Sequence, residues 1–313
     1  MPLQKNPTVR QRLRSVIERE SAAACSTGYC PFLDLRVHGR ITILGDLHGK
    51  LGALESILAE RAVEAGLARG DHWLLSLGDL VDRGPTESSV DSEWNVGAER
   101  LLDRVAALKA RHPELVHAIL GNHEQQHLVD IARRGLEPGQ VSIWANEGRL
   151  RLTQGRIAFL KQMPVALRVE TAGTAMVLVH GGPPQTAFDL ASASLDSAAG
   201  SARESRWHDL MWSNPSWTLG PQGMGYLYTE PHVRRFLEAN RCQVLVRGHR
   251  DEDRLHRLAG GHLFFSVHSA KGPRALDEPR FGHSYVAWDP PAPPYLVRVT
   301  CEPTCPLPRP SHR

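Results

Sequence analysis

The sequence has no hydrophobic run long enough to cross a membrane, because no segment approaches the roughly 20 apolar residues that a bilayer span needs. The N-terminal region also lacks the apolar stretch of a signal peptide, since its best candidate, 21–24, is only Ser-Ala-Ala-Ala. We therefore expect a cytoplasmic protein with no membrane partner.

An excess of charge of one sign is also missing. The formal net charge is +3, and Lys and Arg form no concentrated stripe beyond the short stretch 10–14. Proteins that bind nucleic acid usually carry such a stripe, so we expect no nucleic-acid partner.

Cysteine is scarce, with five residues in the chain. An odd number of widely spread cysteines argues against a disulfide framework. Four residues separate Cys25 from Cys30, and three separate Cys301 from Cys305. A structural zinc site can use such pairs. Unpaired thiols near two loose chain ends are the favoured interpretation.

Composition divides the chain into three predicted parts. Residues 1–39 read as a helix around 9–20 followed by a loop, 40–298 as one large domain, and 299–313 as a Pro-rich tail. Within the large domain, short apolar runs lie at 41–44, 73–77, 115–120, 175–179 and 243–246. Runs without polar alternation are typical of strands buried on both faces. Amphipathic helical patterns lie between several of them, which predicts a layered α/β fold.

The residues that follow these runs are the most informative feature. Each run is followed by a glycine-flanked Asp, Asn or His: Asp46 and His48, then Asp79, then Asn122 and His123, then His180, and finally His249. Ligands of open α/β sheets bind at the carboxyl ends of the strands, where glycine permits tight turns and close approach. Five such endings are improbable as turn residues alone and predict a metal site.

The residue types narrow the choice of metal. Carboxylate, imidazole and amide ligands without thiolate favour Mn²⁺, Fe or Zn²⁺. Asp46 and His48 are two residues apart, so in an extended chain their side chains leave on the same side. The Asp79 carboxylate has two oxygens and can bridge two ions. Two ions about 3.5–4 Å apart form a clamp for in-line displacement at phosphorus and acidify a shared water.

The motifs GDLHG, GDLVDRG, GNHE, HGG and RGH together resemble those of the phosphoprotein phosphatase family of calcineurin-like metallophosphoesterases. The resemblance covers about residues 40–270 and includes DLMWSNP at 209–215, which is similar to the family's DLLWSDP. It implies a layered α/β/β/α sandwich with a dinuclear metal site at the carboxyl ends of the strands. It also makes 40–298 the catalytic domain.

The resemblance implies a role for each residue of the site. The metal ligands would be Asp46 and His48 for the first divalent ion, Asp79 as the bridge, and Asn122, His180 and His249 for the second. His123, paired with Asp82, would protonate the leaving oxygen, while a metal-bridging hydroxide attacks phosphorus directly. His and Asp suit this proton transfer, because a His side chain titrates near neutrality and a carboxylate fixes the orientation of its ring. Arg83 would clamp the phosphate with its planar fork.

Three neighbouring residues have plainer interpretations. We expect Glu124 to be a carboxylate at a helix start and not a metal ligand. His127 reads as an ordinary surface or buried histidine, and Trp212 reads as a packing residue.

The sequence departs from the family pattern at two places. Gln222 stands where eukaryotic members have a second phosphate-binding arginine, which makes it a candidate substrate contact beside Arg83 and Asn122. Arg203 or Arg206 is then a candidate replacement for that arginine. The family's SAPNY segment, with its cleft tyrosine, is replaced by residues 266–270. Both changes bear on substrate preference and leave the metal ligands intact.

Three functions are compatible with these motifs. The leading interpretation is a protein serine/threonine phosphatase that uses two divalent ions, with Mn²⁺ expected, on a phosphoprotein or phosphopeptide substrate. The alternative is a symmetrical dinucleoside polyphosphate hydrolase. Enzymes of that class carry GNHD in place of GNHE and lack the Asp paired with the catalytic His, so Glu124 and Asp82 favour the phosphatase. A non-catalytic phosphopeptide-binding module is the third. Such a module would be expected to lack a metal ligand or the catalytic acid, and all of these residues are present in the sequence.

Overall fold

In a computed structural model of the chain, two β-sheets pack face to face and helices cover their outer sides. The structure describes residues 32–82, 93–144, 148–171, 173–186, 188–191, 201–217, 225–250, 252–269 and 281–301. The strands are β1 (Phe32–Arg36), β2 (Arg40–Leu44), β3 (His72–Ser76), β4 (Val116–Ala118), β5 (Val141–Trp144), β6 (Gly148–Arg151), β7 (Ala166–Thr171), β8 (Thr174–Val179), β9 (Asn214–Pro215), β10 (Leu227–Tyr228), β11 (Val244–Arg247), β12 (Arg254–Arg257), β13 (Leu263–Ser266), β14 (Phe281–Trp288) and β15 (Tyr295–Cys301). The α-helices are α1 (Leu51–Glu60), α2 (Val63–Arg69), α3 (Glu93–Arg111), α4 (Asn122–Arg134), α5 (Gln154–Gln162), α6 (Ser201–Trp212) and α7 (Glu230–Ala239).

The strand order in the two large sheets brings the predicted site together. The five-stranded sheet runs β15-β14-β2-β3-β4, and its strands β2, β3 and β4 are parallel. The six-stranded sheet runs β1-β7-β8-β11-β13-β12, and its strands β8, β11 and β13 are parallel. The carboxyl ends of parallel neighbours lie at the same edge of a sheet, so each sheet delivers a row of strand ends.

The space between the sheets is filled by one face of each central strand. Its buried side chains include Ile41, Ile43, Leu75, Met176, Leu178, Val246 and Phe265. The intervening residues pack against helices on the outer sides and include Leu44, Leu74, Val177, Leu245 and Phe264. Burial on both faces confirms the prediction from the uninterrupted apolar runs, and the layers are the predicted α/β/β/α sandwich.

The helices differ from the predicted patterns in one respect. The amphipathic pattern at 51–67 forms two helices, α1 and α2, because Ala62 between them adopts a left-handed conformation with φ of 48°. Helix α7 begins with Pro231 in its first turn, where proline's missing N–H costs no helical hydrogen bond. In the described part of the chain, no helix combines the length and the apolar character needed to span a membrane.

Two strands cross the predicted domain boundaries. Strand β1 lies within 1–39, where the sequence predicted only helix and loop, and pairs in parallel with β7. Strand β15 continues past 298 to Cys301. Both are outermost strands of their sheets, so their short patterns lack the continuous apolar character of the central strands. The predicted helix at 9–20, the tail at 302–313 and Cys25, Cys30 and Cys305 lie outside the described residues.

Candidate metal and catalytic site

The Asp79 carboxylate, just beyond β3, lies at the centre of the predicted ligands. Its Oδ2 atom is 3.8 Å from His48 Nε2, 3.8 Å from His123 Nε2 and 3.3 Å from His180 Nε2. The side chain of Asp79 is almost completely buried. Three strand ends of one sheet and one of the other therefore meet around a single carboxylate.

The remaining predicted ligands surround this centre. Asn122 Oδ1 lies 2.8 Å from His180 Nε2 and 2.8 Å from His249 Nδ1. Asp46 Oδ2 lies 3.9 Å from His48 Nε2, and Asp46 Oδ1 accepts a hydrogen bond from the backbone N–H of His249 at 3.0 Å. The structure thus brings all six sequence-predicted metal ligands into one buried cluster.

The backbone at this edge adopts a conformation that is unusual for residues other than glycine. His48, Asp79, Asp82 and His249 have φ values of 43°, 50°, 62° and 68°, in the left-handed region. Such residues cost on the order of 1–3 kcal/mol each and persist where the surrounding structure fixes them, typically at functional sites. The turns therefore hold these side chains at the site at a cost in stability.

Glu124 helps to hold the backbone of the loop after β3 in this conformation. Its carboxylate accepts hydrogen bonds from the backbone N–H groups of Asp79, Leu80 and Val81 at 2.8, 2.7 and 3.2 Å. It also accepts one from Gly121 at the start of α4, at 3.1 Å. The predicted position at a helix start is confirmed. The clamp on the loop after β3 was not predicted, because it joins segments more than 40 residues apart.

His123 and Asp82 form the predicted pair. His123 Nδ1 donates to Asp82 Oδ2 at 3.1 Å, which leaves Nε2 facing Asp79. Burial acts to raise the Asp82 pKa, but hydrogen bonds from His123 and His127 hold it well below its ordinary value. Asp82 is therefore anionic at neutral pH and fixes the orientation of the His123 ring.

His127 is a part of this network that the sequence interpretation missed. Its Nε2 atom lies 3.0 and 3.1 Å from the two Asp82 oxygens, and its Nδ1 atom lies 2.9 Å from Ser142 Oγ. The signal was its spacing, since residues four apart on a helix share a face and His127 follows His123 by four on α4. Asp82 is thus held between two imidazoles.

The residues present fit a pair of divalent cations. Two groups, His48–Asp79–His123 and Asp79–His180–His249, each have ligand atoms within 4.8 Å of one another, and both contain Asp79. His123 Nε2 is buried and has no hydrogen-bond partner among the described residues. Although burial acts to lower it, the His180 pKa is raised to about 9 by Asp79 and Asp46, so the site attracts positive charge.

The glycine before His249 gives a way to test this fit. A Cβ atom on Gly248 would lie 2.3 Å from Asp46 Oδ1, so Gly248→Ala must displace the Asp46 carboxylate. We expect metal affinity to fall about 10- to 100-fold, the usual effect of disturbing a ligand's surroundings. Calorimetric titration of chelator-stripped protein measures it. The matched control is Gly155→Ala, whose Cβ would meet only Thr153 Oγ1 at 3.9 Å; equal affinities in both variants would contradict the fit.

The predicted phosphate contacts remain predictions. Arg83, Gln222 and the side chain of Arg203 lie outside the described residues. The Arg206 guanidinium lies 5.4 Å from the centre of the Phe188 ring, and its suggested role as a phosphate ligand stays a prediction. Trp212 packs as predicted: it is buried, and its Nε1 donates to Gln125 Oε1 at 2.7 Å.

Comparison with known proteins agrees with this geometry. Residues 39–250 match the calcineurin-like phosphoesterase family. The chain belongs to that family. Since its members use divalent metal ions, the buried Asp, Asn and His cluster is where such ions would bind. The family and fold predicted from the motifs are confirmed.

Individual relatives are more distant. The serine/threonine-protein phosphatase 4 catalytic subunit of Saccharomyces cerevisiae is 27% identical over 215 residues, covering 67% of this chain and 62% of the relative. A Caenorhabditis elegans serine/threonine-protein phosphatase is also 27% identical, over 75% of this chain and 48% of the relative. The chain thus spans less than two thirds of the length of either relative.

A solved structure supports the fold. It is a Saccharomyces cerevisiae protein serine/threonine phosphatase with similarity to human phosphatase PP5, and it superimposes with a TM-score of 0.57. The match covers 96% of this chain and 91% of the other at 18% identity. At this identity the likeness concerns the fold.

Proposed function

We propose that this chain is a metal-dependent phosphomonoester hydrolase, and specifically a protein serine/threonine phosphatase acting on phosphoproteins or phosphopeptides. The observation that carries the proposal is the position of Asp79, which lies in both candidate metal groups and 3.8 Å from the Nε2 atom of His123. Two cation positions and an acid therefore meet in one buried site. The phosphatase relatives in yeast and worm support the choice of reaction.

The proposed ligands are Asp46 and His48 for one ion, Asn122, His180 and His249 for the other, and Asp79 for both. We propose Mn²⁺ as the metal, with Fe or Zn²⁺ as alternatives. When bound, two divalent ions would lower the pKa of an attacking water and neutralise charge on the phosphate. The protein itself supplies anionic Asp79, whose pKa, despite burial, the imidazoles of His180 and His123 hold well below its ordinary value.

His123 is the proposed general acid. Because its Nδ1 donates to Asp82, its Nε2 atom faces Asp79, and a proton carried there would point toward the proposed phosphate position. A serine or threonine alkoxide is a poor leaving group, and this proton would neutralise it as the P–O bond breaks. Arg83 and Asn122 would bind the phosphate oxygens, and Gln222 would lie nearby.

Two observations favour a phosphatase over a dinucleoside polyphosphate hydrolase. Asp82, the partner that those hydrolases lack, is buried and holds both His123 and His127. Glu124 accepts four backbone hydrogen bonds that span the loop after β3 and the start of α4. The shorter Asp of a GNHD motif has one methylene fewer with which to reach that loop.

The second imidazole on Asp82 leads to a further prediction. His127→Leu removes one donor to a buried carboxylate, a loss worth about 1.5–3 kcal/mol, so we expect kcat on a phosphoserine peptide to fall roughly 10- to 100-fold. His127→Gln, whose amide can donate to Asp82, should recover most of the rate. Steady-state kinetics of the two variants checks this; equal losses would show that His127 does not act through its hydrogen bond.

A side-by-side substrate assay tests the proposed function. The chain, loaded with Mn²⁺, is given phosphoserine, phosphothreonine and phosphotyrosine peptides and a dinucleoside tetraphosphate. We expect kcat/KM to be highest on the phosphoserine and phosphothreonine peptides. Preference for the dinucleoside tetraphosphate would replace the proposal with its alternative. Tight peptide binding without turnover would indicate a binding module.

A further inference from the structure

A sixth strand end reaches the site with a histidine outside the predicted ligand set. Strand β13 runs parallel to β11, and His268 follows its last residue by two. His268 Nδ1 lies 3.7 Å from Asp46 Oδ2, and the His268 ring centre lies 6.0 Å from that of His48. His268 is only 8% exposed. It therefore faces the Asp46–His48 side of the site from within the protein.

The backbone on both sides of His268 is held by buried or partly buried hydrogen bonds. The His268 N–H donates to Asp253 Oδ1 at 2.8 Å, and Ser284 Oγ donates to the other oxygen of Asp253 at 2.8 Å. Ser269 Oγ accepts from the Gly45 N–H at 2.7 Å and donates to the Ser284 carbonyl. These bonds tie the end of β13 to the end of β2 and to β14. The imidazole is thus placed beside Asp46 by rigid elements on three strands.

The spacing of the polar atoms indicates how His268 is used. Asp46 Oδ2 has two imidazole nitrogens near it, His48 Nε2 at 3.9 Å and His268 Nδ1 at 3.7 Å. Both distances exceed that of a hydrogen bond. Atoms that each lie about 2.1 Å from one ion are separated by roughly 3–4 Å, depending on the bond angle. Each of the two nitrogens therefore lies as far from Asp46 Oδ2 as two ligands of one cation lie from each other.

We propose that His268 is a further protein ligand of the ion held by Asp46 and His48, a proposal that rests on the two-metal site put forward above. Each ion then has two imidazoles, His48 and His268 for one and His180 and His249 for the other. Imidazole-rich sites suit Zn²⁺ and Fe, whereas Mn²⁺ favours oxygen-rich sites. His268 should therefore increase the preference of the Asp46 side for Zn²⁺ over Mn²⁺.

The test measures metal binding without relying on activity. Chelator-stripped wild type, His268→Ala and the control His262→Ala are titrated with Zn²⁺ by calorimetry, and Co²⁺-loaded samples are examined by visible absorption. His262 lies just before β13, at the end of the strand away from the site, with Nδ1 3.4 Å from the Ala259 carbonyl. Circular dichroism melts of the metal-free proteins check that all three fold alike.

We expect wild type and His262→Ala to bind two ions per chain, and His268→Ala to bind one of them at least about 100-fold more weakly, beyond the usual effect of losing an outer contact. The Co²⁺ absorption bands should change, and free imidazole should restore the lost affinity. Unchanged affinity, or weaker binding with an unchanged Co²⁺ spectrum, would overturn the assignment of His268 as a ligand. If wild type itself binds fewer than two ions, the two-metal site fails instead.

Discussion

Asp79→Asn is expected to lower kcat/KM on a phosphoserine peptide by about 10³-fold or more and to reduce metal occupancy at both positions. The carboxylate belongs to both candidate metal groups, so one substitution removes negative charge from both ions. The several kcal/mol that metal ions contribute to such a reaction correspond to a rate factor of this size. No other single ligand change should cost as much, because every other ligand serves one ion.

The substitution is also a conservative one. The amide oxygen of Asn can still accept the hydrogen bond that Asp79 Oδ1 receives from the His123 N–H at 3.0 Å, so the fold should be retained. Asp71→Asn is the matched control, since it removes one carboxylate that pairs with Arg69 outside the site. Elemental analysis and kinetics of both variants give the result. Two tightly bound ions and near wild-type turnover in Asp79→Asn would refute a bridging role.

His123→Asn should slow hydrolysis of a phosphoserine peptide by roughly 10²–10⁴-fold, the range of general acid catalysis. The serine alkoxide needs a proton as it leaves, and its proposed donor is His123, whose ring is hydrogen-bonded to anionic Asp82. An aryl phosphate has a stable leaving group and should lose much less. The prediction is therefore a change in the ratio of the two rates and not only a loss of activity.

Kinetics on both substrates, with metal content measured in parallel, separates the acid from a structural role. His112→Asn, at a histidine just after α3 and away from the site, is the control for the substitution itself. Equal losses on the phosphoserine peptide and the aryl phosphate, with two ions still bound, would show that His123 only positions the site.

The parts of the fold that the sequence predicts are those governed by local pattern. Strands β2, β3, β8 and β11 are buried on both faces, so their uninterrupted apolar runs identify them, and the glycine-flanked polar residues that follow mark their ends. After Phe32, strand β1 alternates between half-buried and exposed residues at the edge of its sheet, so its pattern does not identify it as a strand. The break at Ala62 lies inside a continuous helical pattern, which gives no sign of a left-handed residue.

The parts of the site that the sequence could not predict depend on contacts between distant segments. Glu124 and His127 are recognisable as residues at the start of a helix, but their roles come from the loop after β3, more than 40 residues earlier. His268 reaches Asp46 only because β13 ends beside β2, where Ser269 and Gly45 are 224 residues apart in sequence. Local pattern thus yields the proposed ligands, while the residues that support them follow from the sheet order.

The most direct test of the two-metal phosphatase is removal and return of the metal. The chain is stripped with a chelator, its metal content is verified by elemental analysis, and turnover of a phosphoserine peptide is measured before and after Mn²⁺ is added. We expect no measurable turnover in the stripped protein, and recovery of activity as two ions bind per chain. Full activity in verified metal-free protein would contradict the account.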